Sequence, residues 1–164
     1  HNVISNMKLA SGIAPVHKML EKGVNVSLGT DGCASNNNLD LFEEMKTAAL
    51  LHKVNTFSPT VLPARQVLEM GTVNGAKALG IEAGMLKVGK KADLIVVDMR
   101  KPHLTPCFDI HSHLVYSARG SDVRTTIVDG KLLMDDYRVL AFDEQKVLEE
   151  AQKAAEELIA RANA

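Results

Sequence analysis

The hydrophobic rhythm of this 164-residue chain changes once, near Gly84, and that change restricts its fold more than any other feature. Before it, apolar residues recur at helical spacing. Val16, Met19 and Leu20 predict a short helix over 14–22, with Gly23 as its stop. Leu41, Phe42, Met45, Ala48 and Ala49 share one face of a second helix expected to end near Lys53. Asn36-Asn37-Asn38 offers it an N-cap, and Asp40, Glu43 and Glu44 suit its positive start. After a loop over 54–62, Pro63 suits a first helical turn. Val67, Leu68, Ala76 and Leu79 then predict two short helices, the second capped by Thr72 and closed by Gly80. One strand interrupts this series, where Val24, Val26 and Leu28 alternate with Asn25 and Ser27. It runs into the corner Gly29-Thr30-Asp31-Gly32.

After Gly84 the texture is β. Leu86 and Val88 lead to a Gly89-Lys90-Lys91 turn, and Ala92–Asp98 reads as a buried strand. Asp129-Gly130 lies between two β-prone runs, a strong hairpin signal. Asp143 caps a last helix, where Val147, Leu148, Ala151, Ala154, Ala155, Leu158 and Ile159 form an apolar stripe read as a packing face. The expected class is α/β, divided into a helical part over 1–80, a β part over 81–142 and a helix over 143–164.

Composition narrows the function. With 19 basic and 20 acidic residues, the formal net charge of -1 argues against a nucleic-acid partner. No apolar run approaches the ~20 residues of a membrane span. Two cysteines, Cys33 and Cys107, do not make a disulfide scaffold, so a reducing, cytoplasmic setting is expected. The chain opens on His1 as though inside an element, which leads us to expect a piece of a longer protein.

Asp31 is the leading candidate for chemistry. A carboxylate just past the C-terminal end of a strand can bind a metal and accept a proton, as catalytic groups of α/β barrels do. An ordinary Asp in a glycine-flanked turn fits the tetrapeptide as well. His111-Ser112-His113 would point two imidazoles to one side of a strand, but no spaced partner completes a zinc pattern. His103, His17 and His52 read as ordinary satisfied histidines, and Cys33 as a small loop residue. Neither a phosphate-cradling loop nor a G-x-S-x-G elbow is present.

Five segments together carry a family likeness. They are His1-Asn2-Val3-Ile4-Ser5-Asn6-Met7-Lys8-Leu9, Gly29–Asp40 with its Gly-Thr-Asp and Ala-Ser-Asn, Thr72–Gly80, Gly84–Asp98, and His113–Tyr116 with Gly120–Val123. Together they resemble the amidohydrolase superfamily, and within it the 5-methylthioadenosine/S-adenosylhomocysteine deaminases. Val3 stands where that family usually has Pro. The resemblance covers nearly the whole chain and is weakest in the last helix. It implies the last strand and closing helices of a metal-dependent (β/α)8 barrel, a small β-sandwich and a C-terminal helix.

The resemblance further implies a nucleoside substrate and a divalent ion, zinc above others. Asp31 would be metal ligand, substrate contact and proton acceptor, with His1, Ser35 and Asn36 as supporting positions. The family's H-x-H metal pair lies after the first barrel strand, so His111 and His113 do not match it. The remaining ligands and acids come from earlier strands, and a zinc site takes about three protein ligands. The chain alone is therefore expected to be inactive, and its open barrel edge to drive self-association or pairing with the missing half. A triazine or guanine aminohydrolase, or a non-catalytic interaction module, are the alternatives.

Overall fold

A computed structural model describes residues 1–163 of the chain. The first half is helical: α1 (Val3–Lys8), α2 (Val16–Glu21), α3 (Cys33–Asn36), α4 (Leu41–Thr56), α5 (Ala64–Met70) and α6 (Val73–Leu79). The predicted cap of the long helix is shifted. Asp40, not the Asn run, caps α4, its Oδ1 accepting from Phe42 N at 2.8 Å. Asn36 and Asn37 are committed elsewhere: Asn36 ends α3, and Asn37 leaves it at φ 75°. Helix α4 runs three residues past Lys53 because Phe57, at φ 52°, is what stops it. Thr72 stands at the N-cap of α6 without capping it, since its hydroxyl donates back to Leu68 O at 2.7 Å.

The expected strand over 24–28 forms no sheet. It carries a single parallel rung, in which the His1 amine donates to Ser27 O at 2.7 Å and Gly29 N donates to His1 O at 3.2 Å. A ladder needs a neighbour along its length, and among the described residues only His1 lies alongside. The segment is instead clamped by the helices. Leu28 N donates to Met70 O at 3.0 Å, Asn74 Nδ2 to Val26 O at 2.8 Å, and Asn25 Nδ2 to Asn74 O at 3.0 Å. A Cβ at Gly29 would lie 2.7 Å from Asn2 Oδ1, so the Asn2 side chain would have to turn aside to admit one.

In the second half, β1 (Leu94–Val97), β2 (Val123–Val128), β3 (Lys131–Asp135) and β4 (Arg138–Val139) form one antiparallel sheet in chain order. The Asp129-Gly130 turn joins β2 to β3 with both residues at positive φ, 50° and 76°, as a two-residue hairpin requires. The expected sandwich is thus a single layer among the described residues. A sandwich needs a second apolar sheet facing the first. Here the remaining apolar residues of 81–142 enter loops and a helix, α7 (Ile110–Tyr116). Strand β1 is not buried as expected either. Ile95 and Val96, on opposite faces, are 48% and 47% exposed, so neither face is fully covered.

The core lies where α4, α5 and α7 pack together. Val16, Val26, Phe42, Met45, Leu62, Val67, Met70, Leu104 and Val115 fill it, and Val97 and Val123 of the sheet lean on its side. Each such side chain contributes about 1.5–3 kcal/mol by burial. The last helix, α8 (Glu144–Ala162), has its expected cap, Asp143, which accepts from Lys146 N at 3.1 Å. The expected stretch to residue 164 ends one residue beyond those described. Its stripe is not a packing face within the described residues: none of its side chains is buried, and Leu158 and Ile159 are about 60% exposed. No described helix is long and apolar enough to cross a membrane.

Candidate functional site

Asp31 follows the clamped segment directly and sits at φ 61°. That left-handed conformation is tolerated by Asp because its short carboxylate bonds locally. Gly32 N donates to Oδ1 at 2.8 Å, and Ser35 Oγ and Ser5 Oγ each donate to Oδ2 at 2.8 Å. The Ser35 hydroxyl, then that of Ser5 and the Gly32 amide, hold the carboxyl below its ordinary 3.8 against slight desolvation. Three of about four acceptor positions are filled. What remains is one exposed, oriented anionic oxygen position on Oδ1, able to take a cation or a proton.

A buried carboxylate lies behind this group. Glu44 is fully buried on α4, in one row with Ala48 and His52. Its Oε2 accepts from Val3 N at 3.1 Å and Ile4 N at 3.4 Å, and its Oε1 accepts from Asn36 Nδ2 at 2.6 Å. The same Asn36 amide donates to Thr30 O at 2.7 Å. Burial pushes the Glu44 carboxyl above its ordinary range, opposed by the donors from Ile4, Asn36 and Val3.

Ser35 touches Asp31 directly, and Asn36 supports the loop from within. The His1 ring does not meet Asp31; it packs on His52, with Nε2 to Nε2 at 3.3 Å and ring centres 5.4 Å apart. His52 and His17 were expected to be satisfied, yet each has a buried Nδ1 without a partner. Burial first, and His17 second, hold His52 below its ordinary 6.5. His111 and His113 lie on helix α7, not on a strand. Two positions apart on a helix they diverge, and Asp109 occupies them: it lies 3.5 Å from His111 Nδ1, and its carbonyl is 3.1 Å from His113 Nδ1. His103 Nε2 pairs with buried Asp122 at 2.9 Å. Cys33 is exposed at the start of α3. The described residues hold no group of three or more His, Cys, Asp or Glu able to cage an ion.

Sequence reasoning missed two members. Ser5 reads as one residue of a motif until the fold brings it to Asp31. Glu44 reads as a helix-start charge, although its position on the apolar face beside Met45 and Ala48 is a signal of a buried, partnered carboxylate.

The chain is similar to several known proteins. It is 88% identical over its whole length to a 5'-deoxyadenosine deaminase of Methanosarcina barkeri (strain Fusaro / DSM 804), of which it covers 38%. It is 60% identical over 157 residues, 94% of its length, to a 5-methylthioadenosine/S-adenosylhomocysteine deaminase of Syntrophobacter fumaroxidans (strain DSM 10017 / MPOB), covering 36% of that protein. A crystal structure of an adenosine deaminase from Xanthomonas campestris with bound zinc superposes with a TM-score of 0.95 at 36% identity, over 98% of this chain and 37% of that one. The chain thus spans well under half of these proteins. The Amidohydrolase family pattern matches residues 1–133, and the chain belongs to that family.

Proposed function

We propose that this chain is the part of a metal-dependent (β/α)8-barrel deaminase that contributes its last strand, over 24–29, and the acid that follows it. The reaction is hydrolytic deamination of adenosines altered at the 5′ position, with 5′-deoxyadenosine preferred. Water adds at C6 of the adenine ring, the C6–N bond to the exocyclic amine breaks, and a 6-oxo purine and ammonia result. We place 5′-deoxyadenosine first because the 88%-identical relative bears that name, and keep 5-methylthioadenosine and S-adenosylhomocysteine, named for the 60%-identical relative, within the same substrate class.

One observation carries the reading: the Asp31 carboxylate, at the end of the clamped segment, is fixed by three donors with one oxygen position left open. That donor chemistry, a hard and oriented anionic oxygen, fits one protein ligand of a divalent ion. When bound, such an ion lowers the pKa of water toward neutrality and stabilises developing charge. Asp31 would be one of the residues holding such an ion, through Oδ1, and its carboxylate would be the group placed to accept a proton from the attacking water. Ser5 and Ser35 keep the carboxylate anionic and turned outward. The single parallel rung between His1 and the 27–29 backbone supports a neighbouring parallel strand ahead of His1.

The test is a substrate panel on the intact protein. Ammonia release from 5′-deoxyadenosine should exceed that from adenosine by about tenfold or more in kcat/KM. S-Adenosylhomocysteine and methylthioadenosine should fall between them. Preference for a triazine or guanine, or no release from any adenosine, would contradict the reading. The chain alone should release none.

A further inference from the structure

We propose that Glu44 is a positioning residue for Asp31: its buried carboxylate locks the two segments whose hydroxyls hold that acid. This rests on the proposed role of Asp31 and extends it inward by one layer. The two serines that grip Asp31 come from different places, Ser5 from α1 and Ser35 from α3. On the exposed side the two helices are joined by a mobile lysine, Lys8 Nζ of α1 donating to Ala34 O of α3 at 2.9 Å; on the buried side a rigid group is needed. Glu44 is that group. One of its oxygens receives the first amides of α1, Val3 N and Ile4 N. The other receives the Asn36 amide, which also holds Thr30 O, one residue before Asp31.

The carboxylate therefore joins the start of α1, the end of α3 and the 30–31 backbone through a single rigid group. Its placement is costly unless it is useful. A fully buried carboxylate demands donors on both oxygens, and here it has three. The strained φ of Asp31 persists only where its surroundings over-determine it.

The chemistry of an isosteric variant separates positioning from mere structure. In Glu44→Gln the amide oxygen can still accept from Val3 and Ile4, so the packing of α1 on α4 survives. The amide nitrogen now faces Asn36 and needs an acceptor. Asn36 satisfies it by turning its own oxygen inward, which withdraws its donor from Thr30 O. The fold is kept and the tie to the Asp31 loop is cut. Asn36→Ala cuts the same tie from the other side and leaves the α1 amides on Glu44.

The experiment uses the intact protein, with Glu44→Gln, Asn36→Ala and Asp31→Asn in parallel. Zinc affinity is read by competition with a chromogenic chelator, and amide exchange over 30–37 is read on the metal-free protein. Glu44→Gln and Asn36→Ala should each weaken zinc by about tenfold and speed exchange over 30–37, while KM for 5′-deoxyadenosine stays within about twofold and kcat falls. Wild-type zinc affinity and exchange in both variants would overturn the proposal. Should Glu44→Gln not fold, Asn36→Ala alone decides. Wild-type zinc affinity in Asp31→Asn would instead refute the role of Asp31 itself, a distinct result.

Discussion

Gly84 offers a sharp test of how the sheet half is seated on the helical half. It lies at φ 83°, and a Cβ built on it would fall 2.9 Å from Val73 Cα, 3.0 Å from Thr72 O and 3.1 Å from Ala76 Cβ. Two separate penalties follow for Gly84→Ala. The left-handed backbone costs an alanine about 1–2 kcal/mol. The close contacts are with backbone atoms at the start of α6, which cannot rotate away, and such overpacking costs about 1–3 kcal/mol more. Gly89 provides the control. It has φ 87° with nothing within 4 Å of its Cβ position, so Gly89→Ala bears only the first penalty. Urea unfolding of the intact protein at unchanged m reads the difference, expected at about 1–3 kcal/mol. The variant should also loosen the site, because α6 carries Asn74, whose amide holds Val26 in the segment leading to Asp31. Equal destabilisation of the two variants would refute the reasoning.

Three further outcomes are expected. Asn74→Ala removes one amide that both donates to Val26 O and sits beside the Asn25 bond; it should lower stability by about 1–2 kcal/mol in the same urea assay and speed exchange of the amides over 24–29. His52 is held neutral by burial, with a pKa below 6.5, so below that pH the unfolded chain takes a proton that the fold resists. Stability should fall as pH drops from 6.5 through the folded pKa, and His52→Leu should flatten that fall in urea midpoints measured across pH. Ser35→Ala removes the leading cause of the low Asp31 pKa, so carboxyl NMR of the metal-free protein should show Asp31 protonating at higher pH than in the wild type.

The parts of the fold that sequence made legible are those decided locally. The apolar stripe of α4, the Asp129-Gly130 hairpin and the Asp143 cap each follow from a few neighbouring residues, and each stands where expected. The errors arise where distant residues decide. Asn36 looks like a helix cap, but its amide is taken by Glu44 and Thr30, so the cap passes to Asp40. The alternation at Val24–Leu28 is that of a strand, yet pairing requires a neighbour that, among the described residues, only His1 supplies. Burial of the α8 stripe and of Ile95 and Val96 depends on what faces them, which no local pattern encodes. At the site, the position of Asp31 after the Val24–Leu28 run was visible in the residues themselves. Its grip by Ser5, 26 residues earlier, was not, because that contact exists only after folding.

In the proposed function, the open oxygen of Asp31 holds a divalent ion that the intact protein needs to deaminate adenosines altered at the 5′ position. Asp31→Asn keeps the size of the side chain and removes its charge. Zinc content by elemental analysis and ammonia release from 5′-deoxyadenosine, measured on the same purified sample, test the claim together. Ammonia release should fall by more than the roughly 10–100-fold that loss of an outer partner brings, and zinc content should fall with it. Full zinc occupancy with undiminished ammonia release would contradict it.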